Sequence, residues 1–395
     1  TCWPTGPYST PATWASNHWR TEMVAEKTNV VLTIPEPRTA ALATKPYPVA
    51  GPGFVIVEVA VAPVCNEGRI YRDHQFEWHD SPEHLGHEGV GTIVETRPGS
   101  RFEPGDRVVV FQANSCQKCF VCTQGLSPTH CLGIPYEGYD DGMAPQDVTA
   151  GLLGIEKVNG SASGGFGMAR YRLAPEHMVV RLPDNLSFHH AAAANCTLGC
   201  TYTAAEEAGV KAGDVVLVGG VGFIGLGAVA NALHRGATVV VIGRNPYRMD
   251  LCRRLGVTAV IDPGSSDWLE QIHAVTGRRR GADVAFECSG TPYYLDRCMA
   301  GLRRYGTLFS LGFTGSEGYS VSVLNDMMDR HITWTGGHDV RFRDRDGLLR
   351  MLGDTEVQGW IDTIVTHTYP MSRAAEAFEV ALTKDCGKIY LLPQE

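Results

Sequence analysis

The sequence predicts an α/β protein in which an irregular β domain of barrel type precedes a parallel, doubly wound sheet. Three observations support this fold class. Short β-rich runs broken by Gly and Pro extend from about residue 27 to about residue 190. After about residue 212, apolar strands alternate with helical stretches, as in parallel sheets that carry helices on both faces. A glycine-rich turn joins the first strand of this second region to its first helix.

The first region contains four apolar runs that are typical of strands. They are Val30–Ile34, Phe54–Val61, Gly91–Val94 and Arg107–Phe111, and turn signals such as Pro104-Gly105-Asp106 separate them. Ser187 precedes a helical stretch from His189 to Asn195 and can cap its first turn. Residues 1 to about 26 are polar and rich in Pro, Ser, Thr and Trp, and we expect them to form an N-terminal extension.

The second region alternates between strands and helices to its end. The expected strands are Val215–Val218, Thr238–Ile242, Ala259–Ile261, Ala282–Glu287 and Gly306–Leu311. The expected helices are Phe223–Arg235, Pro246–Leu255, Trp268–Val275 and Tyr293–Leu302. A final helix near Ser372–Leu382 and the strand Lys388–Leu392 close the chain.

Length and charge exclude several classes of protein. A chain of 395 residues favours two domains, since single cores stop growing below this size. The net charge of −9 offers no basic surface for nucleic acid. Apolar runs end before the roughly 18 residues that a membrane span needs. The 12 Cys are expected to be reduced in a cytoplasmic protein, because the first residues lack the pattern of a secretory signal.

Four cysteines lie within one short stretch, NSCQKCFVCTQGLSPTHC. Three follow each other at intervals of three residues, and the fourth comes after a turn rich in Gly, Ser and Pro. Thiolates at this spacing converge on one tetrahedral metal, and zinc is the expected ion. The set leaves no ligand position for a substrate, so we expect a structural zinc held by Cys116, Cys119, Cys122 and Cys131.

The glycine-rich turn has the pattern of a dinucleotide site. It follows the strand Val215–Val218 and opens a helix, which places the phosphates of a dinucleotide at the helix N-terminus. The first glycine makes the turn, the second lets pyrophosphate approach the backbone, and the third lets helix pack on strand. The expected contacts are Gly220, Gly222, Phe223, Ile224 and Gly225.

The end of the next strand indicates which dinucleotide binds. An NAD site typically has an acidic residue there, to accept the ribose hydroxyls. This chain has Gly243 and Arg244 instead, and Arg248 lies close by. Because a guanidinium binds a 2′-phosphate well, we expect NADP(H) in preference to NAD(H). The competing interpretation of Arg244 is an exposed loop residue.

A second set of metal-binding residues comes from distant parts of the chain. Cys65, His87 within Gly86-His87-Glu88, and Cys196 would form an open zinc site with a fourth position for water or substrate. Taken singly, each is more often a buried structural residue.

The order of these motifs resembles the zinc-dependent medium-chain dehydrogenase/reductase family from about residue 27 to the end. The motifs are Cys65, Gly86-His87-Glu88-Gly89-Val90-Gly91, the cysteine quartet, Cys196, the Gly220–Gly225 turn, Phe286-Glu287-Cys288-Ser289-Gly290 and Gly387-Lys388-Ile389. The resemblance implies a GroES-like catalytic domain, residues 27–194 with 345–395, around a Rossmann domain, residues 195–344. It also implies a catalytic zinc on Cys65, His87 and Cys196, with Glu88 as a neighbouring or exchanging ligand. Homodimers or homotetramers are expected on the same ground.

The chain departs from this family next to the first zinc ligand. Relatives usually have a Ser or Thr two residues after the cysteine, which starts a proton relay, and then an Asp. Here these positions are Glu67 and Gly68. Glu67 could itself carry the proton, the alcohol relay could be lost, or Glu67 could be a polar rim residue or a zinc ligand. Tyr71, His74 and His79 follow and could reach the pocket.

Three functions remain open on this evidence. The first is an NADP(H)-dependent alcohol dehydrogenase or carbonyl reductase with two zinc ions per chain, acting on a polyol, a cyclitol or a biosynthetic intermediate. The second is a reductase of an activated C=C or C=N bond. The third is a dinucleotide-binding protein without catalysis. The segments expected to line the substrate pocket are 67–79, 135–142 and 313–316.

Overall fold

The computed structural model describes residues 27–74, 82–83, 85–112, 115–132, 167–312 and 319–395. The expected N-terminal extension, His79, and the predicted pocket segments 135–142 and 313–316 lie outside these residues. Within them, two large sheets and the helices around them form an α/β fold, which confirms the predicted fold class. Each helix in this part of the chain is too short or too polar to cross a membrane.

The first large sheet has seven strands and combines strands from the first region with the last two strands of the chain. Across the sheet the order is Val365–Pro370, Lys388–Leu392, Phe54–Val64, Val90–Glu95, Arg107–Val110 and Val179–Arg181, with Tyr171–Pro175 also paired to Phe54–Val64. Ile389 lies opposite Val64 in an antiparallel pair. This register brings Lys388, near the end of the chain, beside Cys65. A separate pair, Thr28–Glu36 and Thr39–Pro46, lies next to this sheet.

The second large sheet is parallel and has six strands. Its order is Ala259–Ile261, Thr238–Ile242, Val215–Gly219, Ala282–Glu287, Leu302–Ser310 and Thr333–Gly336. The chain starts in the middle of the sheet and builds outward on both sides, so the strand order reverses next to Val215–Gly219. Every residue of that strand is buried, which is why its apolar run is continuous. Ligands of such sheets bind at this reversal, outside the carboxyl ends of the strands.

The described helices are short to medium in length. They are Glu67–Asp73, Phe120–Thr123, Phe188–Ala191, Gly199–Glu207, Phe223–His234, Pro246–Leu255, Trp268–Thr276, Pro292–Gly301, Arg345–Leu352, Thr355–Ile364 and Ala374–Thr383. Ser187 caps the helix that follows it, because its hydroxyl accepts the His190 N–H at 3.2 Å. The predicted stretch to Asn195 divides into this helix and a 3-10 turn at Ala192–Ala194.

The predicted elements of the second region agree with the structure except at a few ends. The strand expected at Gly306–Leu311 already begins at Leu302. Its register shifts there against Ala282–Glu287, and Tyr305 has a φ of 60°. Because the strand begins irregularly, its first residues do not show a regular strand pattern in the sequence. The edge strand Thr333–Gly336 was not predicted, because only four residues pair and two of them are exposed.

Candidate active site and zinc centres

The four cysteines of the short loop converge on one point. Their sulfur atoms all lie within 4.8 Å of one another. The separation is 3.5 Å between Cys119 and Cys122, 3.8 Å between Cys119 and Cys131, and 3.7 Å between Cys122 and Cys131. Thiolates that bind one tetrahedral zinc at about 2.3 Å lie about 3.8 Å apart. The quartet therefore has the geometry of a closed zinc site.

The local backbone favours negative charge on the sulfurs of Cys116 and Cys119. The backbone N–H groups of Lys118 and Cys119 approach the Cys116 sulfur at 3.5 and 3.3 Å, and the Cys116 N–H approaches Cys131 at 3.2 Å. The backbone N–H of Cys122 is the main reason that the pKa of Cys119 falls to about 6. Donors aimed at thiolates are what a metal site of this kind requires.

The quartet loop also contacts the segment that follows the last strand of the parallel sheet. Asp339, which follows the last strand of the parallel sheet, is buried. It accepts hydrogen bonds from Ser127 Oγ at 2.6 Å, from Thr129 Oγ1, and from Gln112 Nε2 at 3.2 Å. A metal that holds the loop in place therefore also holds Ser127 and Thr129 against Asp339.

The second predicted cluster forms at the end of the strand Phe54–Val64. Cys65, His87, Glu88 and Cys196 each offer a ligand atom within 4.8 Å of the others. The two sulfur atoms lie 3.6 Å apart, which fits two thiolates on one zinc. His87 is mostly buried, and its Nε2 lies 3.9 Å from Glu88 Oε1. Cys196 thus lies beside Cys65 and His87, although more than a hundred positions separate it from either of them.

Buried charge surrounds this cluster. Lys388 Nζ donates to Glu88 Oε1 at 2.6 Å, and both side chains are almost fully buried. Burial opposes the charged ammonium, but Glu88 and the two nearby thiols raise the pKa of Lys388 above its usual value. Hydrogen bonding to Cys196, together with burial, raises the pKa of Cys65 well above its usual value. Burial and the short distance between the two thiols therefore disfavour thiolates here, and a bound cation would offset that effect.

Glu67 lies behind the cluster rather than at its rim. Its side chain is 0% exposed, so the interpretation as a rim residue is wrong. One oxygen accepts the Cys65 backbone N–H at 2.5 Å, and the other lies 3.7 Å from His87 Nδ1. Its neighbours Asn66 and Gly68, in contrast, line an open cleft. The carboxylate thus approaches two of the metal-binding residues from the protein side.

A cleft of about 710 Å³ connects the candidate metal ligands to the glycine-rich turn. Cys65, His87 and Cys196 line one part of it, and Gly220 and Gly222 line another. The cleft lies where the strand order of the parallel sheet reverses. One cavity therefore contains both the candidate zinc ligands and the glycine-rich turn.

The turn itself fits a bound pyrophosphate. Gly220 has a φ of +91°, which favours glycine, and a Cβ on Gly225 would lie 1.9 Å from the Gly220 carbonyl oxygen. A Cβ on Gly222 would meet nothing within 4 Å. Gly222 faces the cleft at the start of the helix Phe223–His234, where open space and the helix N-terminus favour a phosphate. Phe223 and Ile224 line the same cleft.

Cationic side chains line the cleft beyond this turn. Arg244 is exposed, and its guanidinium lies 4.9 Å from the centre of the Tyr293 ring. Arg248 also faces the cleft, but its Nε donates to the Cys386 carbonyl at 2.8 Å. Arg248 is therefore tied to the C-terminal segment. Lys384 was not predicted, although it lines the cleft as well, because nothing in its local sequence distinguishes it from a surface lysine.

Two other predicted pocket residues are packing residues. The Tyr71 hydroxyl donates to Glu379 at 3.1 Å, and its ring lies against Phe378. His74 Nε2 lies 2.8 Å from the Ile34 carbonyl oxygen. The structure instead adds Gln112 and His338 to the cleft. Their positions depend on the long-range packing around Asp339, which has no local signal in the sequence.

Two family models match the chain. The model of the alcohol dehydrogenase GroES-like domain matches residues 51–184, and that of the zinc-binding dehydrogenases matches residues 224–352. An uncharacterised zinc-type alcohol dehydrogenase-like protein of Escherichia coli, YphC, is 27% identical, covering 92% of this chain and 99% of the relative. A sorbitol dehydrogenase of Halalkalibacterium halodurans is 28% identical, covering 89% of this chain and 95% of the relative.

Solved structures share the fold over most of the chain. The alcohol dehydrogenase TADH from Thermus sp. ATN1 superposes with a TM-score of 0.78 at 23% identity, covering 93% of this chain and 99% of its own. A zinc-binding dehydrogenase of Sinorhizobium meliloti bound to NADP gives a TM-score of 0.75 at 22% identity, covering 93% and 100%. At these identities the structures establish the fold and do not indicate a substrate.

Proposed function

The chain belongs to the zinc-dependent medium-chain dehydrogenase/reductase family, and on this premise we propose that it transfers hydride between NADP(H) and an alcohol or carbonyl substrate at a zinc site. One observation carries the proposal. Cys65, His87 and Cys196 line the same cleft as the glycine-rich turn, so an ion held by these side chains and a dinucleotide held at the turn would both border the space open to a substrate. Polyols, cyclitols and biosynthetic intermediates are the candidate substrates.

The candidate metal ligands would have different roles in this reaction. Cys65, His87 and Cys196 would hold the catalytic zinc, and Glu88 lies beside it as an alternative ligand held by Lys388. When bound, zinc supplies a Lewis acid for the substrate oxygen, and the nicotinamide supplies or accepts the hydride. The quartet Cys116, Cys119, Cys122 and Cys131 would hold the second, structural zinc. The predicted cytoplasmic location and homo-oligomer stay predictions.

We assign the preference for NADP(H) to Arg244. It stands where NAD-binding sites typically have an acidic residue, and its guanidinium is exposed at the edge of the cleft. Gly243 before it is packed so closely that a Cβ would lie 2.9 Å from Val221. Lys384 adds a second positive charge to the same cleft. Arg248 contributes mainly by holding the C-terminal segment in place.

The proposal is tested by measuring turnover of alcohols, aldehydes and ketones with NADPH and with NADH. We expect faster turnover with NADPH at equal concentration. In Arg244→Ala the KM for NADPH should rise about 10- to 100-fold, because a charge-assisted hydrogen bond contributes about 1.5–3 kcal/mol. The KM for NADH should change little. The exposed residue Arg253, which lies outside the cleft lining, provides the matched control Arg253→Ala.

Two results would contradict this assignment. If the KM for NADPH and the KM for NADH rose equally in Arg244→Ala, Arg244 would support dinucleotide binding in general and would not recognise the 2′-phosphate. Turnover with NADH alone would contradict the preference while leaving the zinc-dependent reaction intact.

Glu67 provides the second test at the site. We assign it a positioning role, since its carboxylate contacts the Cys65 backbone and approaches His87 Nδ1. Carboxylates in such positions orient a metal-binding histidine, and losing one typically costs 10- to 100-fold in metal affinity. Glu67→Ala should therefore bind the catalytic zinc about 10- to 100-fold more weakly.

The isosteric variant Glu67→Gln separates positioning from proton transfer. At saturating zinc we expect its kcat to stay within about threefold of the wild type, because the amide oxygen can still accept the Cys65 N–H. If Glu67 carried the proton, kcat would instead fall about 10²- to 10⁴-fold with normal zinc content. That result would restore the proton-carrier interpretation.

The buried location of Glu67 also supports a second candidate function. A carboxylate that approaches the metal residues from behind does not replace a relay hydroxyl in the cleft. A reductase of activated C=C or C=N bonds does not need an alcohol proton relay at this position. Such an activity would persist with NADPH after the catalytic zinc is removed, whereas reduction of a simple aldehyde would not.

A further inference from the structure

A third group of metal-binding side chains lies outside the cleft. His189 and His190 are on the short helix Phe188–Ala191, and Asp362 is near the end of the helix Thr355–Ile364. His189 Nε2 and His190 Nε2 each lie 3.1 Å from the same oxygen, Asp362 Oδ1. All three ligand atoms lie within 4.8 Å of one another.

Neighbouring residues orient both imidazole rings. His190 Nδ1 lies 2.9 Å from the hydroxyl of Ser187, the residue that also caps this helix, so Nε2 is turned toward Asp362. The His189 ring packs edge to face on Tyr390, with ring centres 5.4 Å apart, and Tyr390 is buried. A hydrogen bond to the far nitrogen of an imidazole is the usual way in which proteins fix a metal-binding histidine.

We propose that His189, His190 and Asp362 form a third metal site, which binds a divalent transition ion of the zinc type. Two imidazole nitrogens and one carboxylate oxygen are ligands for such ions, whereas Ca²⁺ and Mg²⁺ prefer sets of oxygen ligands. The Asp362 side chain is 62% exposed, so water can complete the coordination. The bound ion would take the place of the hydrogen bonds between Asp362 Oδ1 and the two imidazole nitrogens.

A metal here would join two segments of the active-site framework. The helix Phe188–Ala191 continues through the turn Ala192–Ala194 toward Cys196, a ligand of the proposed catalytic zinc. The helix Thr355–Ile364 leads directly into the strand Val365–Pro370, which pairs with Lys388–Leu392. The third ion would therefore stabilise the folded protein without contacting the substrate, by mass action on the native state.

The test begins with protein that already contains its tightly bound zinc. Zn²⁺ is titrated by equilibrium dialysis, and Ca²⁺ and Mg²⁺ are tested as competitors. We expect one additional zinc per chain in the wild type, unaffected by Ca²⁺ or Mg²⁺, and a rise in the unfolding temperature as it binds. His189→Ala and Asp362→Asn should each weaken this binding at least about tenfold, as loss of one of three ligands requires.

Two controls keep the result interpretable. His331, an exposed histidine whose ring stacks on Tyr305, gives the matched variant His331→Ala, which should bind the additional zinc like the wild type. Asp362→Asn keeps the shape of the side chain, and its turnover with NADPH in chelator-treated buffer should equal that of similarly treated wild type. Equal zinc uptake by the wild type, His189→Ala and Asp362→Asn would overturn the proposal, and so would full competition by Ca²⁺.

Discussion

Replacing Cys65 by serine is expected to reduce the zinc content from about two ions per chain to about one and to lower kcat/KM for aldehyde reduction at least about 10³-fold. A serine hydroxyl is a poor substitute for a thiolate ligand, and Cys65 lies 3.6 Å from Cys196, so each sulfur needs the other to complete the site. A metal acting as a Lewis acid contributes several kcal/mol to catalysis, and about 4 kcal/mol corresponds to about 10³-fold in rate. Metal analysis and steady-state kinetics with NADPH measure the two effects.

The same variant should still bind the dinucleotide. The glycine-rich turn and Arg244 line a different part of the cleft from Cys65, so the affinity for NADPH should change little. Cys252, a buried cysteine of the helix Pro246–Leu255, supplies the control Cys252→Ser, which should keep both zinc ions and the activity. One zinc in both the wild type and Cys65→Ser would rule out the catalytic zinc. Undiminished reduction of a conjugated alkene by the zinc-depleted variant would favour the second function.

The parallel sheet could be predicted from the sequence because its signals are local. The strand Thr238–Ile242 is an almost continuous apolar run, and both it and Ala282–Glu287 end where the sequence predicts. Burial on both faces demands such runs, and helices between them leave few alternatives. The convergence of Cys65, His87 and Cys196 was predicted by resemblance, since spacing alone does not bring together residues so far apart.

Other features of the site depend on packing that no short segment encodes. The sequence identifies Glu67 as a departure from the family. The direction in which its side chain points depends on how the first turn of the helix Glu67–Asp73 packs, which the sequence does not show. Lys388 had no predicted role at the metal site, although it pairs with Glu88 three hundred positions away. Its position follows from the antiparallel register of Ile389 with Val64. Strand register between the two ends of a chain is a property of the assembled sheet.

The pair formed by Lys388 and Glu88 supports the second large expected effect, which concerns stability. The ammonium and the carboxylate lie 2.6 Å apart, and their side chains are 1% and 0% exposed. Removing one partner of a buried ion pair leaves the other charge without compensation and costs about 3–5 kcal/mol. Lys388→Met should therefore be destabilised by about that amount, measured from the shift of the denaturant unfolding midpoint with the zinc content held equal.

The double variant Lys388→Met/Glu88→Gln tests whether the pair itself is the cause. With both charges removed, no uncompensated charge is buried, so the double variant should be more stable than Lys388→Met despite carrying one more substitution. A double-mutant cycle with Glu88→Gln should give a coupling free energy between about 0.5 and 3 kcal/mol. Strictly additive effects would mean that the cost of Lys388→Met arises from lost packing of its side chain between strands. Coupling of the expected size would instead make Lys388 the residue that holds Glu88 beside the zinc ligands, and Glu88 should then move toward the metal in Lys388→Met.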